Sequence, residues 1–436
     1  MNRPMPSPPP PFHLLRTHHS PISSVHFNPS NTLLYSGDQD GYISVLDLKV
    51  RRVVAYWKAH EGGILGLEEW QGGLISHGRD NIIHFYESLK RPYISSGIGN
   101  TPKKGLEVIK SLPTNTLNFC RFSLLPLLPM QDENGREEMN GQGKGKGKEQ
   151  EALIAVPSLL DSELVDIYHL PSMRRIHASI NYIPKTTSLT KDSVIPEQTR
   201  SGLIMSIHLR QIPSTSQISL AIGYEDGRVE LYLSSLKSID SVYDARMSSS
   251  PENNPWKMFW RGKGHNEAVM GMDVDRYSRY GWSVSADHRL VRYDFGRVIQ
   301  DKVATDDQSI MKDHGTKSIG NSSVAVNPSG KVVAVGGWDG KIRLFSAETF
   351  KPLGTLSSHR ETVHTLCFPN PSDQSSQNGR ELEDQSTIDI EDDSDSGGDE
   401  DENDSVSARE RWLVSGGKDT RVALWGLMNF EKGLEG

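Results

Sequence analysis

Cysteine is scarce in this 436-residue chain, which has two, Cys120 and Cys367. That excludes a disulfide framework and a cysteine-rich metal site, and it suits a reducing compartment. Both lie in similar contexts, LNFCRF and HTLCFP, and read as small buried residues of a first strand. No apolar run approaches the ~18 residues of a membrane helix, and no secretory leader opens the chain, so neither secretion nor a membrane span is expected. Catalytic motifs are absent too. There is no nucleophile elbow and no H-E-x-x-H. The GKGKGK run at Gly143–Lys148 lacks the G-x-x-x-x-G-K-[ST] spacing of a phosphate loop. His13, His18 and His19 have no acid or cysteine at ligand spacing, so they make a poor metal site. No enzyme, cofactor or metal is expected.

What the chain does have is a repeat. In Val324–Phe345 (VAVNPSGKVVAVGGWDGKIRLF) two apolar runs flank an Asn-Pro-Ser-Gly turn, and a Gly-Gly-Trp-Asp-Gly turn leads into a third, alternating run. Three short strands joined by tight turns fit this pattern, because Gly and Asp-Gly accept the positive φ of hairpins. Such a unit cannot bury its faces alone. Copies end at Ser36 onward (SGDQDGYISVLDL), Ser76 onward (SHGRDNIIHFYESL), Ile222 onward (IGYEDGRVELYL), Ser283 onward (SVSADHRLVRYDF) and Ser415 onward (SGGKDTRVALWGL), with a weaker copy from Val156 (VPSLLDSELVDIYHL). The turn acids are Asp40, Asp80, Asp161, Asp226, Asp287, Asp339 and Asp419. The first two are separated by one ~40-residue blade period. Six residues beyond most of them stands a large apolar residue: Leu46, Tyr86, Tyr232, Tyr293, Phe345 or Trp425. The spacing predicts an all-β, seven-bladed propeller.

These units resemble the WD-repeat family, with a degenerate Trp-Asp ending. In such rings an N-terminal strand completes the last blade. Phe12–Thr17 (FHLLRT) stands in the right place to do so, and closure would protect sheet edges. The expected organisation is a Pro-rich leader over 1–11, a propeller over 12–430 with inserts without fixed structure near 131–151 and 371–410, and a tail over 431–436. Blade five is expected from about Trp256 to Ala304. Leu89–Leu106 and Ser234–Asn254 read as loops before fourth strands, and Asn181–Gly202 as a link between blades three and four. The second insert carries thirteen acids and no base between Glu381 and Asp404, against a chain total of −8. It reads as a solvated spacer, or else as a segment for a basic partner or an acid-directed kinase acting at Ser386 or Ser396. Its charge argues against direct nucleic-acid binding.

The family's hydrogen-bond chain joins a His before the first strand to a Ser, the turn Asp and a third-strand Trp. The resemblance implies one full set, His359, Ser415, Asp419 and Trp425, and two with Tyr in place of Trp: His60, Ser76 and Asp80 with Tyr86, and His265, Ser283 and Asp287 with Tyr293. Recurrence makes these structural rather than hydrolytic. The face bearing the Asp turns would present Arg79, Glu225, Trp338 and Lys418, with Arg360 and Glu361 beside them. Trp338 reads either as a binding anchor or as a ring packed on its neighbour blade. Finally, FHLLRTHHSPISSVHFNP, SGDQDGYISVLDL, KAHEGGILGLEEW and WLVSGGKDTRVALWGL resemble the ASTRA-associated protein 1 family of fungi, which is related to an animal G-protein β-subunit-like protein. That resemblance implies a nuclear, non-catalytic scaffold subunit, monomeric within a hetero-complex. Its implied partners are Tel/Tti co-chaperone proteins, RuvB-like AAA+ ATPases and phosphatidylinositol-3-kinase-related kinases such as the Tra-type pseudokinase. Its implied role is in chromatin remodelling and kinase maturation. The competing reading is a substrate receptor of a cullin-type ubiquitin ligase, but Leu46-Asp47-Leu48-Lys49 and Tyr293-Asp294-Phe295-Gly296 lack the Arg of Trp-Asp-x-Arg.

Overall fold

The template stretch shows why the repeats fold as they do. Asn327 Oδ1 accepts the backbone N–H groups of Lys331 and Val332, both at 2.9 Å, and so closes the Asn-Pro-Ser-Gly turn. The strands Asn321–Val326, Val332–Gly337 and Lys341–Ser346 pair antiparallel around this turn and the next. A fourth strand, Pro352–Ser357, pairs on the outside. The computed structural model describes residues 9–89, 105–127, 150–182, 202–213, 215–248, 253–301, 303–318, 320–371, 409 and 411–428. Over these residues the chain forms seven such antiparallel sheets, the seven blades of a propeller. Buried Val, Ile, Leu and aromatic side chains fill the spaces between adjacent blades. The Leu15, Ile22, Phe27 and Trp412 cluster, for example, lies between the last blade and the first. The residues six beyond the turn acids are all buried there.

Closure follows the expected route. His13–Leu15 pairs with the third strand of blade seven, with His13 opposite Leu424 and Leu15 opposite Val422. It supplies the outer strand that the C-terminal part of the blade lacks. A second clasp was not foreseen. Asn31 of blade one donates its amide to the Asn370 carbonyl at 2.7 Å and accepts the Asn370 N–H at 2.9 Å, tying blade one to blade seven.

Several boundaries differ from the sequence reading. Lys257–Lys263 pairs with Arg228–Ser235, so it completes blade four, and blade five starts at Val269 and runs to Gly315. Blade three has a fifth strand, Tyr243–Asp244, sent from the loop of blade four and pairing parallel with Arg174–Ile180. Blade five carries a helix, Phe295–Asp301, before its fourth strand. Asp294 Oδ1 caps its first turn through the Arg297 N–H, and Phe295 and Val298 bury against Trp260 and Tyr293. Cys120 is buried but precedes the strand Ser123–Pro126, because Asn118 Oδ1 takes its N–H at 2.7 Å in a local turn. Cys367 ends a strand, half-buried, and both thiols are free. Burial pushes them up, to about 12 and about 11.

Strand alternation sorts the connections onto two faces. Links from first to second and from third to fourth strands emerge on one face; links from second to third strands and between blades emerge on the other, the turn-aspartate face. The helix and the long loop of blade four leave from the first face. Residues 1–8 of the leader, the tail, the greater part of both inserts, with Ser386 and Ser396, and 90–104 of the expected Leu89–Leu106 loop lie outside the described residues. The interval 183–201 is also outside them; its described neighbours, Tyr182 and Gly202, stand on the turn-aspartate face. Among the described residues no helix is long and apolar enough to cross a membrane.

Candidate partner-binding face

At the turn-aspartate face polar contacts fasten the lead-in of a blade to its own turn and strands. In blade seven His359 Nδ1 donates to Asp419 at 2.8 Å, its Nε2 meets Ser415 Oγ at 2.8 Å, and Trp425 Nε1 donates to Ser415 Oγ at 2.9 Å. The serine's one proton is then directed at His Nε2, and every buried group has a partner. Blade two repeats this with His60, Asp80 and Ser76, where Ser76 Oγ meets Tyr86 at 3.4 Å. Blade five repeats it with His265, Asp287 and Ser283, and there Tyr293 is 2.7 Å from Ser283. The order Asp–His–Ser matches a hydrolytic triad. Each serine is fully buried and sealed by its aromatic neighbour, so no substrate carbonyl can reach it.

Blade one holds a fourth set that the sequence reading missed. His18 Nδ1 lies 2.7 Å from Asp38 and Nε2 2.8 Å from Ser36. The acid is Asp38 and not Asp40, which is exposed. His18 precedes its serine by 18 residues, as His265 precedes Ser283, and that interval was the available signal. In the blades without such a His, the turn acid takes an arginine: Asp226 with Arg228, Asp339 with Arg343 at 2.6 Å, and Asp161 with Arg246 at 3.6 Å. Burial pushes the Asp419 carboxyl up, but the hydrogen bond and charge of His359 outweigh it and hold it below the usual carboxylate range. Asp287 behaves likewise against His265. Burial pulls His60 down despite Asp80 beside it.

Three turn glycines sit against the histidine of the following blade. A Cβ on Gly41, Gly227 or Gly340 would come within 2.1, 2.3 or 2.6 Å of the carbonyl oxygen of His60, His265 or His359, respectively. The Asp-Gly turns of blades one, four and six are thus seated on the histidine backbone leading into blades two, five and seven. All three glycines have positive φ.

All five candidate contact residues fall on this face, in two groups. Trp338, Arg360 and Lys418 meet at blades six and seven, where Lys418 Nζ is 3.5 Å from Glu361 and Thr362 Oγ1 donates to the Trp338 carbonyl. The Trp338 indole packs on Gly320 yet stays 41% exposed, so it is both packed and presented. Arg79 and Glu225 stand across the ring, at blades two and four. Arg79 lies over the Phe119 ring at 5.0 Å, and Glu225 accepts the Leu203 N–H. Nearer the axis, His26, Glu68, Arg121, Arg210 and Asp273 from blades one to five interact, with Arg121 3.7 Å from Glu68. Burial pushes the Glu68 and Asp273 carboxyls up while the two arginines pull them down. The mixed signs cancel, and no cluster of three or more ligand side chains for a metal exists among the described residues.

Comparison with known proteins fits this architecture. The chain is 30% identical to ASTRA-associated protein 1 of Penicillium rubens over 96% of its own length and 97% of the relative's. It is 26% identical to the protein of the same name in Schizosaccharomyces pombe, over 83% of this chain and 93% of that one. A mouse (Mus musculus) relative, guanine nucleotide-binding protein subunit beta-like protein 1, is 29% identical over 83% of this chain and 91% of its own. The profile of the ASTRA-associated protein 1 family matches residues 11–425, and the chain belongs to that family.

Proposed function

We propose that the chain is a non-catalytic adaptor subunit of a nuclear ASTRA assembly, docking large protein partners through its turn-aspartate face. The observation that carries this reading is the joint one: near end-to-end membership of the family, on a ring whose Ser-His-Asp sets are sealed and whose turn-aspartate face presents the exposed Trp338 and Phe119 beside Arg79, Arg360 and Lys418. Trp338, Arg79, Lys418, Arg360 and Glu225 are the proposed contacts. The proposed partners are Tel/Tti co-chaperone proteins, RuvB-like ATPases and phosphatidylinositol-3-kinase-related kinases, and the proposed role is in chromatin remodelling and maturation of those kinases. A ligase-receptor role has less support. Asp47 closes its own turn onto the Lys49 and Val50 N–H groups, and Asp294 caps the helix, so neither Asp begins an Asp-x-Arg signal. Purification of the tagged full-length chain from its native cells tests the reading. Kinase-like giants with their co-chaperones should co-purify, and a Trp338→Ala/Arg79→Glu double variant should lose them. Cullin-adaptor subunits, or no stable partner, would overturn it.

A further inference from the structure

Blade three is the least regular repeat, and it carries the most exposed apolar surface on the turn-aspartate face. Leu117 is 73% exposed, Leu160 71% and Phe119 54%, with Leu159 and Leu203 also exposed. These are neighbours and not scattered residues. The Asn118 amide, itself buried, donates to the carbonyls of Ser162 and Ile204 at 3.1 and 3.0 Å. The buried Asn115 amide donates to the Ser158 carbonyl, and its oxygen accepts the Leu117 N–H at 2.7 Å. The two asparagines therefore pin the lead-in loop of blade three against its Leu159–Leu160 turn and against the start of blade four, with the apolar side chains facing out. Arg79 extends the patch on the blade-two side by lying over Phe119 and has no carboxylate partner among the described residues. Glu225 bounds it on the blade-four side with no cation partner among them.

We propose that this patch, between Arg79 and Glu225, docks one leucine-rich amphipathic helix of a partner protein, with a carboxylate set against Arg79 and a basic residue against Glu225. The proposal rests on the adaptor reading above and adds a location, a partner element and a direction. Contiguous apolar surface with a charged rim marks an interaction site. The patch is built from loop and turn residues and not from an outer strand, so no strand edge is offered for β-addition. A partner must bring its own backbone bonds satisfied, as a helix does. Opposite charges at the two ends fix which way the helix lies. The pinned loops need no ordering on binding.

The test uses the full-length chain with short overlapping fluorescein-labelled peptides drawn from the proteins that co-purify with it, read by fluorescence anisotropy, together with melting curves. At least one leucine-rich, acid-bearing peptide should bind, and Leu160→Asp should weaken it roughly tenfold or more, as loss of a central anchor does. Arg79→Glu should weaken it too, and changing the peptide's acid to lysine should restore binding to that variant. Lys351→Ala, on the opposite face, should leave the peptide's affinity unchanged. If partners co-purify but no peptide distinguishes the wild type from Leu160→Asp, this inference falls and the adaptor reading stands. A lowered melting temperature for Leu160→Asp with undiminished peptide binding would assign the patch to the chain's own residues 183–201 and overturn the inference. If no stable partner co-purifies, both fall.

Discussion

His18 and His19 are adjacent, yet only His18 is tied into a network, bonded to Asp38 and Ser36 while His19 is exposed. His18→Ala leaves a buried carboxylate and hydroxyl without their partner and should cost about 1–3 kcal/mol. His19→Ala should stay within about 0.5 kcal/mol. Urea unfolding of the two variants decides it, and equal effects would remove His18 from the set of locks. Histidine burial also fixes a pH dependence. Burial, aided by the charge of His60, pulls His77 down to about 3, against a raising influence from Asp80. The unfolded chain takes up this proton below about 6.5 and the folded chain does not, so the native state binds fewer protons between those limits. The contribution of His77 is therefore complete above pH 6.5 and is lost as pH falls toward 3, at about 1.4 kcal/mol per pH unit. Chemical unfolding as a function of pH should show stability dropping over that window, and His77→Leu should make the drop shallower. An unchanged slope would contradict the assignment. The full His-Ser-Asp-Trp set of blade seven was legible in the sequence because all four residue types are kept at family spacing. His18 was not, because its acid moved from the turn position to Asp38.

At the scale of the element, the turns join one blade to the next. Gly330 and Gly340 both have positive φ. A Cβ at Gly330 meets nothing within 4 Å, whereas at Gly340 it would lie 2.6 Å from the His359 carbonyl oxygen. Both alanine variants carry the backbone cost of ~1 kcal/mol or more. Gly340→Ala alone must also push apart blades six and seven, so its melting temperature should fall clearly further. Equal losses would show that the turn does not bear on the next blade. Strand identity and the closing strand were readable because hairpin punctuation and period-2 alternation are local. The helix Phe295–Asp301 had its signal, an Asp cap with Phe295, Val298 and Ile299 at helical spacing, but the repeat pattern hid it. The assignment of Lys257–Lys263 to blade four was hidden differently. A fourth strand has no motif of its own, and only pairing with Arg228–Ser235 reveals it. Tyr243–Asp244, a two-residue strand, depends wholly on tertiary context.

At the scale of the molecule, the ring separates two faces by simple alternation, and the proposed docking residues stand at a position where the repeats differ from one another. The position before the turn aspartate holds Gln39, Arg79, Leu160, Glu225, Ala286, Trp338 and Lys418 around the ring. The sequence reading singled out four of these and passed over Leu160. In blade three, Leu159 and Leu160 look like the apolar runs that elsewhere are core, and exposure cannot be read from hydrophobicity alone. Leu117 and Phe119 were hidden for the same reason, since their loop sits where a first strand was expected.

The central claim, that partners dock on the turn-aspartate face, is tested most directly by lysine cross-linking of the purified assembly followed by mass spectrometry. That face carries Lys58, Lys263, Lys317 and Lys418, and the opposite face carries Lys49, Lys237, Lys331 and Lys351. Intermolecular cross-links should concentrate on the first four. Cross-links concentrated on Lys49, Lys237, Lys331 and Lys351 would place the partners on the other face and contradict the account.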